Sequence, residues 1–172
     1  WDSRVSAGSV IVDIGGALTW DGLLYTDPAA AVTISGTSRL TLDGGAATDL
    51  DLSAAAQDLT LNVPLTLSGT QAANIGAGRT LTVNGSAALV SGSWTRSGGG
   101  RLRFNAATTN TVNSSYTAGE TVYAGAAQIT ADTRLAGGNV TFKGTAFLPS
   151  GSTEALAVYN GDLIAGGFFT TA

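Results

Sequence analysis

Apolar and polar residues alternate in seven short segments that recur along most of the chain. In each segment the second and fourth residues are nearly all apolar, whereas the third is mostly threonine or valine. Alternation with a period of two predicts a β-strand with one buried face and one outward face. The segments are 39–43, 58–62, 80–84, 101–105, 120–124, 139–143 and 156–160.

The spacing of these segments predicts a stacked fold. Successive segments begin 17 to 22 residues apart, and a repeat of this length is typical of architectures in which each repeat adds one turn. A second strand-like segment and a glycine-rich passage, such as 74–78 or 96–100, follow most of them. No window has the apolar spacing of a helix. We therefore expect an all-β, single-domain β-helix, or β-solenoid, with about 20 residues per coil and about seven to eight coils.

The apolar columns predict the interior of this stack. Leu59, Leu81 and Leu102 occupy the same position in successive segments, so we expect them to lie above one another inside. The fourth column becomes aromatic in the second half of the chain, and we expect its rings to fill the interior. The alternative, a carbohydrate-binding strip, requires those rings to lie outside. The aromatic column consists of Phe104, Tyr123, Phe142 and Tyr159.

The three tryptophans are outside the main columns. Trp94 lies in a segment that predicts a third strand of its coil. Trp1 and Trp20 lie where the repeat is weakest, and they predict either a cap on the first coil or an interface.

Polar residues mark the edges of the predicted strands. Asn62, Asn84 and Asn105 end three successive segments, and stacked asparagines form hydrogen-bonded amide ladders in stacked sheets. We interpret them as a structural ladder. The first residues of neighbouring segments carry opposite charges in two places. Arg39 is followed one segment later by Asp58, and Arg101 by Glu120, which predicts two cross-strand ion pairs.

Composition excludes several classes of function. The 172 residues carry a net charge of −4 and one lysine, so we expect no nucleic-acid partner. No apolar run approaches the roughly 18 residues of a membrane helix, so we expect no membrane insertion. Cysteine, histidine and methionine are absent, which excludes disulfides, Ser-His-Asp triads and His or Cys metal sites. This composition favours an exported protein at the cell surface or outside the cell.

Asp49 and Asp51 are the one candidate carboxylate pair. They alternate with Leu50 and Leu52, so we expect both carboxylates on one outward strand face. The favoured interpretation is a solvated surface. The alternatives are a calcium site or a polysaccharide-cleaving pair. We predict no hydrolytic activity that depends on either residue, no enzyme activity and no cofactor.

Three glycine-rich stretches resemble the passenger repeats of bacterial autotransporter-type proteins. The similarity covers about residues 31–165, and its motif is a Gly-rich turn, a Leu-Thr-Leu strand, then Tyr-Thr-Gly and a Thr-Val strand. The resemblance implies a right-handed β-helix exported to the cell surface. The stretches that carry it are 74–85, 97–105 and 116–125.

The two termini predict self-association. We divide the chain into a cap or assembly segment (1–30), coils (31–165) and a terminal strand (166–172). Both ends are apolar, and open strand edges add strands from other chains. We expect head-to-tail contacts that build a filament, sheath or adhesin, with surface glycans as a further partner. The alternatives are a phage fibre domain that binds a host glycan, a polysaccharide-cleaving enzyme and an ice-binding protein. The predicted assembly residues are Val10, Ile11, Val12, Ile14, Phe168 and Phe169.

Overall fold

The computed structural model describes residues 10–13, 15–44, 49–147, 155–159 and 162–166. In 10–13, 155–159 and 162–166 it describes the backbone alone. These residues contain 22 strands and no helix, and the strands form three sheets. The prediction of an all-β solenoid is confirmed.

Sheet A contains nine strands, and its first seven are parallel neighbours. In spatial order they are β1 (Val10–Asp13), β4 (Val32–Ser35), β7 (Leu59–Asn62), β10 (Thr80–Val83), β13 (Arg101–Phe104), β16 (Glu120–Tyr123), β19 (Asn139–Phe142), β22 (Asp162–Gly166) and β21 (Ala155–Tyr159).

Sheets B and C are parallel throughout. Sheet B consists of β2 (Leu18–Trp20), β5 (Leu40–Leu42), β8 (Leu65–Leu67), β11 (Ala87–Leu89), β14 (Thr108–Asn110), β17 (Ala127–Ile129) and β20 (Ala146–Phe147). Sheet C consists of β3 (Leu23–Leu24), β6 (Leu50–Leu52), β9 (Gln71–Ile75), β12 (Ser93–Ser97), β15 (Asn113–Tyr116) and β18 (Thr133–Leu135).

Each turn takes one strand from each sheet in the order A, B, C. The strands β1 to β18 make about six turns of about 21 residues, and β19 and β20 begin the next. Residues 10–13, 18–20 and 23–24 supply the strands of the first turn, because β1, β2 and β3 pair in parallel with β4, β5 and β6. The handedness of the coil and the division of the chain at residues 30 and 165 stay predictions.

The interior is built from the predicted columns. Leu81 pairs in register with Leu59 on one side and with Leu102 on the other, and all three are at most 1% exposed. Three of the four predicted rings lie inside as expected: the ring centroids of Phe104 and Tyr123, and of Tyr123 and Phe142, are 5.2 Å apart and stacked. The side chain of Tyr159 lies outside what the structure describes. These three rings therefore form no external carbohydrate-binding strip. Trp94 lies in the third strand of its turn, as predicted, and is buried.

The first of the seven segments was assigned to the wrong column. Segment 39–43 forms β5 of sheet B, and the true partner of Leu59 in the preceding turn is Val32. That turn is longer, because 27 residues separate Val32 from Leu59 whereas 22 separate Leu59 from Leu81. A strand of sheet B has the same period-two pattern, so alternation alone does not distinguish the two.

The last of the seven segments was also misassigned. Segment 156–160 was expected to add a parallel rung, but β21 pairs antiparallel with β22, and β22 pairs antiparallel with β19. The parallel stack therefore ends at β19 in sheet A, which explains why about six turns form rather than seven to eight.

The central leucine column gives the first test. We expect Leu81→Ala to lower the free energy of unfolding by about 2–5 kcal/mol, because it removes buried contacts and leaves a cavity between two turns. The control is Thr82→Ala at the neighbouring outward position, where the loss should stay below about 1 kcal/mol. Urea denaturation followed by circular dichroism measures both, and equal losses would contradict the column register.

Candidate functional site

The asparagine ladder runs up the outer edge of sheet A. Asn84 Nδ2 donates to Asn62 Oδ1 at 2.7 Å, and Asn105 Nδ2 donates to Asn84 Oδ1 at 2.6 Å. Asn84 thus donates to the turn before it and accepts from the turn after it, and Asn105 Oδ1 accepts from Arg103 Nε. The two hydrogen bonds between asparagines join three successive turns. We therefore interpret the ladder as a structural feature that holds the turns in register.

One of the two predicted ion pairs exists. Arg101 Nε lies 2.5 Å from Glu120 Oε2 on adjacent strands of sheet A. The pair of Arg39 with Asp58 was wrong, because Arg39 belongs to the flank of sheet B and donates to Thr66 Oγ1 at 2.6 Å. The Asp58 carboxylate instead accepts the backbone N–H of Thr80 at 2.9 Å.

A shallow groove of about 490 Å³ follows the corner between sheets C and A across four turns. Its floor is glycine, and its rim carries Arg79, Arg101, Glu120 and Asn139. Three of these side chains already have partners, because Arg101 pairs with Glu120 and Arg79 Nη1 donates to the Ala56 carbonyl oxygen at 2.8 Å. The groove is an open surface feature with no convergent set of catalytic groups.

Close approach of successive turns explains the glycines at this corner. Gly119 has φ +68, and a Cβ there would lie 2.5 Å from the Gly98 carbonyl oxygen, so no other residue fits without strain. Gly99 is different: its φ is not left-handed, and a Cβ would meet only Ala77 at 3.4 Å or more. The backbone needs glycine at the first position and not at the second.

The corner also contains a buried cation that the sequence did not reveal. Arg96 is 0% exposed, and its side chain donates to two carbonyl oxygens, from Nη1 to Gly98 at 3.0 Å and from Nη2 to Gly100 at 2.7 Å. Burial lowers the pKa of the Arg96 guanidinium to about 10, so it stays charged at neutral pH. The alternating pattern of the sequence could have predicted this burial, because it places Arg96 on the same face of β12 as Trp94.

Other buried polar groups lie inside the stack. The hydroxyls of Tyr116 and Tyr123 are 2.6 Å apart, and burial raises the pKa of both, that of Tyr123 well above its usual range. Asn110 Nδ2 donates to Ser114 Oγ at 2.7 Å. These groups are about 4% exposed or less, so they stabilise the interior and are closed to substrates.

The aspartate pair is not the shared solvated face that we expected. Asp51 is partly exposed and its Oδ1 accepts the backbone N–H of Ser53 at 2.9 Å, but Asp49 is only 4% exposed and lies before β6 begins. Asp49 Oδ2 accepts the backbone N–H of Ala72 at 3.2 Å. Burial raises the pKa of the Asp49 carboxyl above its usual 3.8, and the Ala72 hydrogen bond opposes this. Both carboxylates accept backbone N–H groups and Asp49 alone is buried, so the two do not form a matched acid–base pair.

No group of three or more potential metal ligands occurs within the part of the chain that the structure describes. None of its described segments is a helix long and apolar enough to cross a membrane.

The predicted assembly residues are placed only in part. Val10, Ile11 and Val12 belong to β1, which is the terminal strand of sheet A at one end of the stack. Ile14, Phe168 and Phe169 lie outside the described residues. The structure adds apolar residues that the sequence did not single out, because Leu18, Leu24 and Phe147 on the first and last strands are 38%, 58% and 64% exposed.

Comparisons with known proteins add no relative. The chain matches no protein-family model, and it has no significant match among curated proteins or solved structures. The fold is that of a β-solenoid repeat protein, and the resemblance to autotransporter passengers stays an expectation.

The glycine corner supplies a matched pair of substitutions. We expect Gly119→Ala to lower the free energy of unfolding by about 1–3 kcal/mol, because its φ is left-handed and the added Cβ meets two carbonyl oxygens. Gly99→Ala, in the corresponding corner of the preceding turn, should change the free energy of unfolding by less than about 1 kcal/mol in either direction. Thermal and urea unfolding measure both. Equal sensitivity at the two positions would show that the corner is not packed as described.

The buried Asp49 predicts a pH dependence. Its pKa is raised in the folded state, so folded protein holds a proton that the unfolded chain loses above about pH 3.8. The contribution of Asp49 to stability is therefore greatest below that pH and falls as pH rises through the folded pKa. Asp49→Asn should remove this fall, whereas Asp51→Asn, at the partly exposed position, should retain it. Urea midpoints from pH 3 to 7 test this, and identical profiles in all three proteins would refute it.

Proposed function

We propose that this protein is a non-enzymatic, extracellular structural protein, a self-associating β-solenoid subunit of a cell-surface filament, sheath or adhesin. The observation that carries the proposal is the position of the exposed apolar residues. Of the four exposed large hydrophobic side chains among the described residues, Leu18 is the one in a core column, because it lies on the terminal strand of sheet B in register with the buried Leu40. The other three, Leu24, Val90 and Phe147, are exposed on the outside of the stack. A core residue that is exposed on a terminal strand supports a contact between chains at that end.

The interior supports a structural role. A repeat stack in which each turn contacts only its neighbours makes a stiff body of adjustable length. This body has a core of leucine and aromatic rings and an asparagine ladder on its outer edge, and its surface groove lacks a set of convergent reactive groups. Such a body is better suited to act as a rigid spacer or to contact other surfaces than to catalyse a reaction in a cleft.

The absence of histidine and cysteine from the sequence supports the non-enzymatic part of the proposal, because it leaves carboxylates as the main candidates for acid–base chemistry. Asp49, the candidate with an altered pKa, is buried and bonded to the backbone. The described rings of the aromatic column, Phe104, Tyr123 and Phe142, lie inside the core and offer no strip for stacking on sugars. Both facts weigh against the polysaccharide-cleaving and glycan-binding alternatives.

Sedimentation velocity over a range of concentrations tests the proposal. We expect the mass to rise above the 17.1 kDa of the single chain as concentration increases. The species should persist at about 1 M salt, because apolar contacts are not screened. Electron microscopy then shows the shape of the assembly.

The control is Ala88→Lys, at the outward position of β11 in the middle of sheet B, which should leave the mass unchanged. A chain that stays monomeric at every concentration would refute the self-association. An assembly that Ala88→Lys dissolves would place the contact on the side of the stack instead of its ends.

A further inference from the structure

Charge is unevenly distributed along the stack. Residues 1–58 carry eight Asp or Glu and two Arg or Lys, whereas residues 59–147 carry two Asp or Glu and six Arg or Lys. Because the turns follow the order of the chain, the first two turns are acidic and the later turns are basic. The shallow groove at the corner between sheets C and A lies within the basic turns, where the local potential favours an anion.

A row of four side chains follows this groove. The row runs along the axis of the stack, because the four strands that supply it pair in register. At a strand spacing of about 4.8 Å, the row is about 14 Å long. The floor beside it is glycine, so an unbranched chain can lie in the groove parallel to the axis. The row consists of Thr80 in β10, Arg101 in β13, Glu120 in β16 and Asn139 in β19.

A buried positive charge lies against the floor of the groove. Gly119 is part of that floor, and a Cβ on it would lie 2.7 Å from Arg96 Nη2. Arg96 is 0% exposed, and its Nε has no hydrogen-bond partner among the described residues. No carboxylate of the described residues forms an ion pair with it. A buried cation without a counter-ion adds to the positive potential at the groove.

The two arginines on the rim keep donors for a further acceptor. Arg101 contacts Glu120 through Nε, and no hydrogen bond between described residues uses its two Nη groups. Arg79 contacts the Ala56 carbonyl oxygen through Nη1, which leaves its Nη2. A guanidinium binds a carboxylate through two parallel N–H···O bonds, so these donors suit carboxylate groups.

The backbone and the lining of the groove narrow the class of occupant. The backbone N–H groups of Arg101, Glu120 and Asn139 already donate to the preceding turn, so an added peptide strand finds no free edge. No aromatic residue lines the groove, whereas single-stranded nucleic acids are held by stacking of their bases. A linear polymer that carries carboxylates on a polar backbone fits both conditions.

We propose that the corner groove binds an acidic polysaccharide, a chain of uronic acid units whose carboxylates pair with Arg79 and Arg101. The choice of a polysaccharide rests on the proposed extracellular role, but the binding does not require self-association. Recognition by charge needs no ring stacking, so the burial of the aromatic column does not oppose it. Glu120 is the one acidic side chain on the rim, and its charge opposes the binding of an anion.

Isothermal titration calorimetry with hexameric galacturonate tests this inference. At low salt we expect Arg101→Gln to weaken binding by about tenfold, and Arg79→Gln to weaken it in the same direction. Glu120→Gln should strengthen binding by about threefold, because it removes a like charge from the rim. Arg39→Gln is the matched control: it removes the same charge from the exposed flank of sheet B and should change the affinity by less than about twofold.

Four results would overturn the inference. They are no binding of galacturonate by the folded wild-type chain, equal weakening by Arg101→Gln and Arg39→Gln, weaker binding by Glu120→Gln, and tighter binding of oligothymidylate than of galacturonate. Circular dichroism checks that each variant is folded. A neutral glucose hexamer should not bind, and the affinity for galacturonate should fall as salt rises.

The outcome is separate from that of the proposed self-association. A chain that binds galacturonate but stays monomeric in sedimentation would refute the self-association alone. A chain that assembles but does not bind galacturonate would refute the groove alone.

Discussion

The structure depends on one constraint: the inward residues of each turn must pack directly against those of the turn before and the turn after. Leu59, Leu81 and Leu102 meet this constraint in the middle of the chain, where they are almost fully buried. Because the strands pair in parallel and in register, a residue type that suits one position tends to suit the same position one turn later. The asparagine ladder and the stacked aromatic rings are two further cases in which the same type of residue recurs at the same position in successive turns.

The same constraint sets the chemistry of the corners. Successive backbones approach so closely at the turn from sheet C to sheet A that a Cβ on Gly119 would meet carbonyl oxygens of the previous turn. Those carbonyls also face inward at this corner, and the Arg96 guanidinium satisfies two of them. The buried arginine thus gives these backbone oxygens a side-chain donor, and the Gly100 oxygen also accepts the backbone N–H of Glu120 at 3.1 Å.

A repeating stack leaves its ends as the places where the repeat is unsatisfied. Within the stack every strand has two neighbours, but a terminal strand has one, and its core residues lose the layer that would cover them. Leu18 shows the effect, because it occupies a core column and is nevertheless exposed. Function in such a molecule is expected at the ends and along the corners, where the pattern is broken.

Alternation and period by themselves determined the strand class, the approximate length of a turn, the leucine and aromatic columns and the ladder of Asn62, Asn84 and Asn105. These features are local or repeat at constant spacing, so one sequence is enough to read them. Only the tertiary structure decided which sheet a strand joins. Segment 39–43 and segment 156–160 have the right alternation, yet the first belongs to sheet B and the second to an antiparallel hairpin.

The burial of Asp49 and Arg96 was likewise decided by tertiary contacts. Asp49 alternates with Leu50 and Leu52 as an outward residue should, but it precedes the strand and lies against the backbone of the next turn. Arg96 carries a charge that usually indicates the surface, but the carbonyl oxygens of a glycine corner hold it inside. The sequence pattern indicates whether a residue is expected to be buried or exposed. The contacts with neighbouring turns decide whether it is.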